Sequence, residues 1–483
     1  MPGAGATMPV AGVAGIGQDR GMSIRRLAED VLGKRISARE LVELALERIE
    51  RHDPALNAVV ALRAEEALSE AGALDERVAR GEAPGPLAGV PFLVKDIEDL
   101  AGLPTTNGSL LHRDAPAADR DGLIAGRLRA AGAIPIGKSN TPEFACEGYT
   151  ANLVFGVTRN PWAPEWSPGG SSGGSGAAIA AGMVPTGTAT DTGGSIRIPA
   201  AFCGLVGLKP TNGLVARDPK LAWPDLTTSG PLGVSVNDVR MVLGVEAGAG
   251  APVSLPAATL GEPDLPKRVF AAPRFTAWGP LPPAVQRAFD RALLRVERDL
   301  GLPVELVEPE AIIPAGNADQ DWLIIAGRDL IEWLDRSTAK KEMERLHPAT
   351  QAFVTEGLKV WRDDYVAARQ RQRRFVRDLD ELLGDDAVVA TPTMAVEGFL
   401  AEGRLPGSDD PSTPADAYNT QVQNLTGHPA ISVPAGVLPN GVPFGLQFTG
   451  PSFRDGMLLD LAEAWERANP WPEVAPGYEP FTA

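Results

Sequence analysis

Apolar positions recur at helical spacing over residues 23–82, with Leu41, Leu44, Ala45 and Ile49 on one face. Ser37-Ala38-Arg39-Glu40 fits a capping box at the start of that run. A Pro/Gly cluster at Pro84–Gly89 ends the helical region. Beyond it, short apolar runs alternate with helical segments. Pro91–Val94 reads as a strand ending at Lys95 and Asp96, Asp121–Ala131 as an amphipathic helix, and Ala133–Ile136 as a buried strand. A small-residue helix, Ser175–Gly182, and a strand, Val184–Ala189, follow. Alternation of this kind predicts an α/β fold around a mostly parallel, buried sheet. Further on come a strand at Arg268–Ala272, a helix at Pro283–Leu300 and a long helical pair, Ala318–Leu346 and Pro348–Leu383. That pair is an excursion between strands, either a structural layer or a wall of the substrate entrance. Strands at Ala387–Thr391, Ala430–Val433 and Pro443–Phe448 and a helix at Met457–Arg467 close the pattern. No internal repeat or sharp change of composition marks a boundary. One domain over residues 22–483 is expected, preceded by a disordered Gly/Ala-rich extension over residues 1–21.

The composition narrows the function classes. The chain has 483 residues, 44% hydrophobic and 22% charged, as expected of a globular enzyme with a sizeable core. A net charge of −17 argues against a nucleic-acid surface and against an anionic membrane face. Two cysteines, Cys146 and Cys203, exclude a disulfide framework. The histidines, His52, His112, His347 and His428, are scattered without metal-ligand spacing, so neither metal nor cofactor is expected. No apolar run approaches the roughly 20 residues that span a bilayer. The expectation is a cytoplasmic monomer or homodimer acting on a small molecule.

The stretch Ser167–Thr211 follows neither helical nor strand periodicity. Glycine, serine and alanine dominate it, yet its apolar runs set it apart from a flexible linker. Its Gly-Gly-Ser turns hold Ser171 and Ser195 within a crowded small-residue segment. A serine that attacks an amide needs a base in hydrogen-bonding reach, donors for the developing oxyanion and an acid for the leaving amine. A lysine can serve as that base once it is desolvated, since its ordinary pKa is about 10.4.

S-P-G-G-S-S-G-G-S-G at Ser167–Gly176 and D-T-G-G-S at Asp191–Ser195 resemble the signature of the amidase signature family of serine hydrolases. G-V-P-F-L-V-K-D (Gly89–Asp96), G-K-S-N-T-P-E-F (Gly137–Phe144) and P-A-I-S-V-P-A-G (Pro429–Gly436) are similar to other segments of it. The resemblance implies a single α/β/α domain with a large, mixed, twisted sheet. It implies Ser195 as nucleophile, Ser171 as a middle residue after a cis peptide bond at Gly170, and Lys95 as base. Thr192, Gly193, Gly194 and Ser195 would supply backbone N–H groups to the oxyanion. Ser172, Asp191 and Arg197 fall on supporting positions. Phe144, Tyr149 and Trp166 lie in segments that could line the pocket. The implied activity is hydrolysis of small aliphatic or aryl amides, extending to esters and carbamates.

Two other readings compete. Gly170–Gly174 also satisfies G-x-S-x-G with Ser172 at an esterase elbow, but Pro161, Pro164, Pro168 and Gly169 make the required preceding strand improbable. The family further includes the glutamine-hydrolysing component of the tRNA-dependent amidotransferase, whose D-G-x-R-Y-G segment finds no counterpart here. A phosphate-binding loop lacks the G-K-[S/T] it requires.

Overall fold

The computed structural model describes residues 23–248, 263–276, 279–313, 317–408 and 414–482. The extension expected over residues 1–21 lies outside them. Two hydrogen-bonded ladders form the centre. The first has four strands in the order Val59–Leu62, Ile134–Ser139, Pro91–Lys95 and Thr186–Gly187. The second has seven, from Leu232–Gly233 through Val206–Lys209, Ala430–Val437, Pro443–Thr449, Ala387–Pro392 and Arg268–Ala271 to Val304–Leu306. Their edges meet where Thr186 Oγ1 donates to the Leu232 carbonyl at 3.4 Å.

The sheet is mixed, which corrects the mostly parallel arrangement suggested by strand–helix alternation. Pro91–Lys95 runs parallel to both of its neighbours. In the larger ladder both described parallel pairings involve the Arg268–Ala271 strand; the others are antiparallel. For the pair Ala430–Val437 and Pro443–Thr449 the reason is local. Leu438–Val442 closes a tight turn, with Leu438 N–H donating to the Val442 carbonyl at 2.8 Å. Strands joined by so short a link can only be antiparallel.

The capping box forms as read. Ser37 Oγ accepts from Glu40 N–H at 3.1 Å, and Glu40 Oε2 accepts from Ser37 N–H at 2.8 Å. The small-residue helix starts earlier than its pattern suggests, at Gly173–Ala180. The expected Val184–Ala189 strand is shortened, and a second short strand lies just beyond its end. Thr186–Gly187 joins the four-stranded ladder, and Thr190–Asp191 then pairs antiparallel with Thr228–Ser229. The long helical pair is also divided, into Ala318–Leu334, Arg336–Lys341, Pro348–Lys359 and Arg362–Leu383. Asp335 breaks it at φ 63° and accepts from Thr338 N–H as the next cap, and Pro348 begins a further helix.

One buried apolar cluster runs from Ile24 to Phe481 across both ladders. A second packs Trp322, Ile325 and Leu330 of the divided helices against Phe270 and Val389 of the seven-stranded ladder. Among the described residues no helix is long and apolar enough to cross a membrane.

Candidate active site

Lys95 ends a strand whose five residues are all buried, and its own exposure is 0%. Its Nζ lies 2.7 Å from Ser171 Oγ, 2.9 Å from Ser172 Oγ and 3.0 Å from Thr190 Oγ1. Burial lowers its pKa to about 7, against the opposing pull of the Glu98 and Asp191 charges. Glu98 responds in the other direction: burial pushes its carboxyl up to about 7, although Lys95 and Lys138 favour the charged form.

The contacts suit a neutral amine, which has two N–H donors and one lone pair. Ser172 Oγ sits 3.4 Å from the Thr190 carbonyl, where its own proton goes, so towards Lys95 it is an acceptor. If Thr190 Oγ1 takes the second N–H, the lone pair is left for the hydroxyl of Ser171. That hydroxyl follows a cis peptide bond at Gly170–Ser171. Ser172 N–H donates to the Ser195 carbonyl at 3.3 Å, which ties this turn to the one carrying Ser195.

The Ser195 turn is folded around a buried ion pair. Asp191 Oδ1 accepts from Gly194 N–H at 2.7 Å, and Oδ2 from Ile196 N–H at 3.2 Å. Arg197 meets both oxygens at 2.9 Å. Burial alone would raise the Asp191 pKa, but the Arg197 guanidinium overrides it and holds the carboxyl at about 2. Arg197 also donates to Gln423 Oε1, Gln447 Oε1, Asn424 Oδ1 and the Thr420 carbonyl. Gly194 has φ +128°, and a Cβ there would stand 2.2 Å from Thr420 Oγ1, so only glycine fits. Its N–H is committed to Asp191, which corrects the expectation that Gly194 faces the oxyanion. Thr192, Gly193 and Ser195 remain on the wall of an adjoining cavity of about 80 Å³.

Trp223, Trp322, Phe353 and Tyr418 supply aromatic walls to that cavity, and Gln421 a carboxamide. None of these five stood out in the sequence, because they come from distant segments with no motif around them. Thr190 had a weak signal, standing just before D-T-G-G-S. Of the aromatic residues that did stand out, Phe144 lines a smaller neighbouring cavity of about 20 Å³, together with Trp333. Tyr149 and Trp166 are corrected to packing roles. Tyr149 is buried with its ring 6.3 Å from that of Phe399, and Trp166 packs against the same apolar cluster. Glu147, Leu323 and Phe353 are shared with a larger cavity of about 870 Å³ along the helices Ala318–Leu334 and Pro348–Lys359. Among the described residues no histidine lines the Ser195 cavity, and no strand leads directly into Ser172, so the esterase elbow has neither its base nor its context.

Mixed α/β sheets with a buried lysine among serine and threonine hydroxyls, beside an aromatic-walled pocket, define a class of hydrolytic enzyme. The chain belongs to the amidase signature family, whose members hydrolyse amides: the family model described as Amidase matches residues 40–459. It is 36% identical to the putative amidase AmiB2 of Mycobacterium tuberculosis, over 94% of this chain and 96% of that one. It is 33% identical to the glutamyl-tRNA(Gln) amidotransferase subunit of Cyanothece sp., over 94% of this chain and 99% of that one. A solved bacterial aryl acylamidase of the same family superposes with a TM-score of 0.83 at 28% identity, covering 93% of this chain and 96% of that one.

Proposed function

We propose that this protein hydrolyses small, neutral carboxylic amides through an acyl-enzyme on Ser195. Ser195 Oγ attacks the carbonyl carbon and passes its proton to Ser171, whose own proton goes to neutral Lys95. The tetrahedral oxyanion is met by backbone N–H groups of Thr192, Gly193 and Ser195, each such donor contributing about 3–4 kcal/mol in comparable sites. The C–N bond breaks as the proton returns through Ser171 to the leaving nitrogen. Water then attacks the acyl-enzyme by the same relay and releases the acid. Esters and carbamates place a carbonyl over the same nucleophile and follow the same route.

The observation that carries this reading is Lys95: fully buried, held near neutrality, and in contact with three hydroxyls. The aromatic walls support an aryl group on the substrate, in keeping with the aryl acylamidase neighbour. We place the remote end of the substrate in the larger cavity beside the divided helices. A second reading, a glutamine-hydrolysing component working with a partner, is favoured by the 33% identity to the amidotransferase relative. Against it, no lysine or arginine among the described residues lines the Ser195 cavity to meet an amino-acid carboxylate.

The test is a fluorophosphonate probe followed by peptide mass. Label on the Ser195 peptide, lost in Ser195→Ala, is expected. Label on Ser172 instead would overturn the assignment of the nucleophile.

A further inference from the structure

Gln421 lines the Ser195 cavity, yet the relay gives it no work. It begins the helix Gln421–Thr426 and is only 4% exposed. Its carboxamide oxygen is buried and has no hydrogen-bond partner among the described residues. Two bonds from the preceding residue fix its place. Thr420 Oγ1 donates to the Gly193 carbonyl at 2.5 Å, and the Thr420 carbonyl accepts from Arg197 Nη2 at 2.7 Å. The start of this helix is thereby held against the turn that carries Ser195, and Gln421 and Ser195 line one cavity.

An unpaired buried carbonyl has lost the hydrogen bond that water supplied and has nothing in exchange. Such a group in a cavity wall is accounted for by a ligand that restores the bond. The two indole N–H groups of the wall do not do so. The Trp322 indole N–H is spent on the Thr192 carbonyl at 2.8 Å, and that of Trp223 on the Ala326 carbonyl at 2.8 Å. Both rings therefore offer the cavity apolar surface. Glu147, another acceptor on the lining, stands where this cavity meets the larger one.

We propose that Gln421 accepts the N–H of the scissile nitrogen, so that the site selects amides retaining that N–H over esters and N-alkylated amides of the same shape. The inference rests on Ser195 being the nucleophile. Sites built to hydrogen-bond a substrate group reject analogues lacking it, because the protein's partner is then left unpaired.

The experiment measures kcat/KM for 4-nitroacetanilide, its N-methyl derivative and 4-nitrophenyl acetate. In Gln421→Met the amide-to-ester ratio is expected to fall about tenfold, and the preference for N–H over N-methyl to fall with it. Gln421→Glu, which keeps an acceptor, is expected to hold the ratio within a few-fold of wild type. An unchanged ratio in Gln421→Met, or an equal fall for all three substrates, overturns the proposal. A second test compares acetanilide and N-methylacetanilide as inhibitors of ester turnover by wild type and Gln421→Met. Weaker inhibition of wild type by the N-methyl compound, by about tenfold, that shrinks in Gln421→Met supports the N–H contact, and equal inhibition of wild type, or a difference that persists in Gln421→Met, overturns it. Fluorophosphonate labelling separates the two failures. If Ser195 is not the nucleophile its label is absent, whereas a wrong reading of Gln421 leaves the label in place.

Discussion

At Lys95, desolvation wins over charge attraction. Glu98 and Asp191 both favour the protonated amine, yet burial still brings the pKa to about 7. Replacing Lys95 with alanine removes the proposed proton acceptor while adding no buried charge. Amide turnover is expected to fall by about a thousandfold or more, with the cooperative unfolding transition retained. Steady-state kinetics beside a thermal melt check both parts. The pH profile follows from the sign of the shift. Lys95 is neutral above about 7 and protonated below it, so kcat/KM should rise with pH through an apparent pKa near 7. Glu98→Gln removes a negative charge that stabilises the protonated lysine, so that limb should move to lower pH. A limb that moves upward, or does not move, would disconnect Glu98 from the base. Lys95, Ser171 and Ser195 were legible because each sits in a short motif. Gln421 and the two tryptophans of the cavity were not, since a lone aromatic or amide side chain in sequence reads the same in a wall as in a core.

At the scale of elements, the Asp191–Arg197 pair organises the Ser195 turn. Removing one member of a buried pair leaves the other charge uncompensated, a loss of about 3–5 kcal/mol. Arg197→Met should therefore lower unfolding stability by about that amount, measured by denaturant titration, and reduce activity in step with the turn's loss of shape. The two helices bordering the larger cavity cross at their glycines. A Cβ on Gly357 would stand 2.4 Å from the Gly327 carbonyl, so the helices must part to admit it. Gly357→Ala is expected to cost about 1–3 kcal/mol and to raise KM more than it lowers kcat. The existence of these helices was plain from periodicity. Their division was not, because Asp335 caps through its own side chain at a positive φ, a choice that depends on the packing around it.

For the molecule as a whole, the proposed relay needs only side chains and water. Among the described residues no group of three or more histidine, cysteine, aspartate or glutamate side chains is placed to hold a metal ion. Dialysis against EDTA should leave amide turnover at its starting level. A loss restored by zinc would point to a metal requirement that the relay does not contain.

Local chemistry is written along the chain. Glycines that allow tight turns, a capping box, and a lysine at the end of an apolar strand need only near neighbours to act, so their motifs can be read one segment at a time. The mixed direction of the sheet, the two ladders meeting at Thr186 and Leu232, and the cavity wall depend on which distant segments touch. Lys95 illustrates the division. Its position at a strand end is a matter of sequence, whereas its neutrality comes from burial among Ser171, Ser172 and Thr190, contacts 76 to 95 residues away that exist only once the chain has folded.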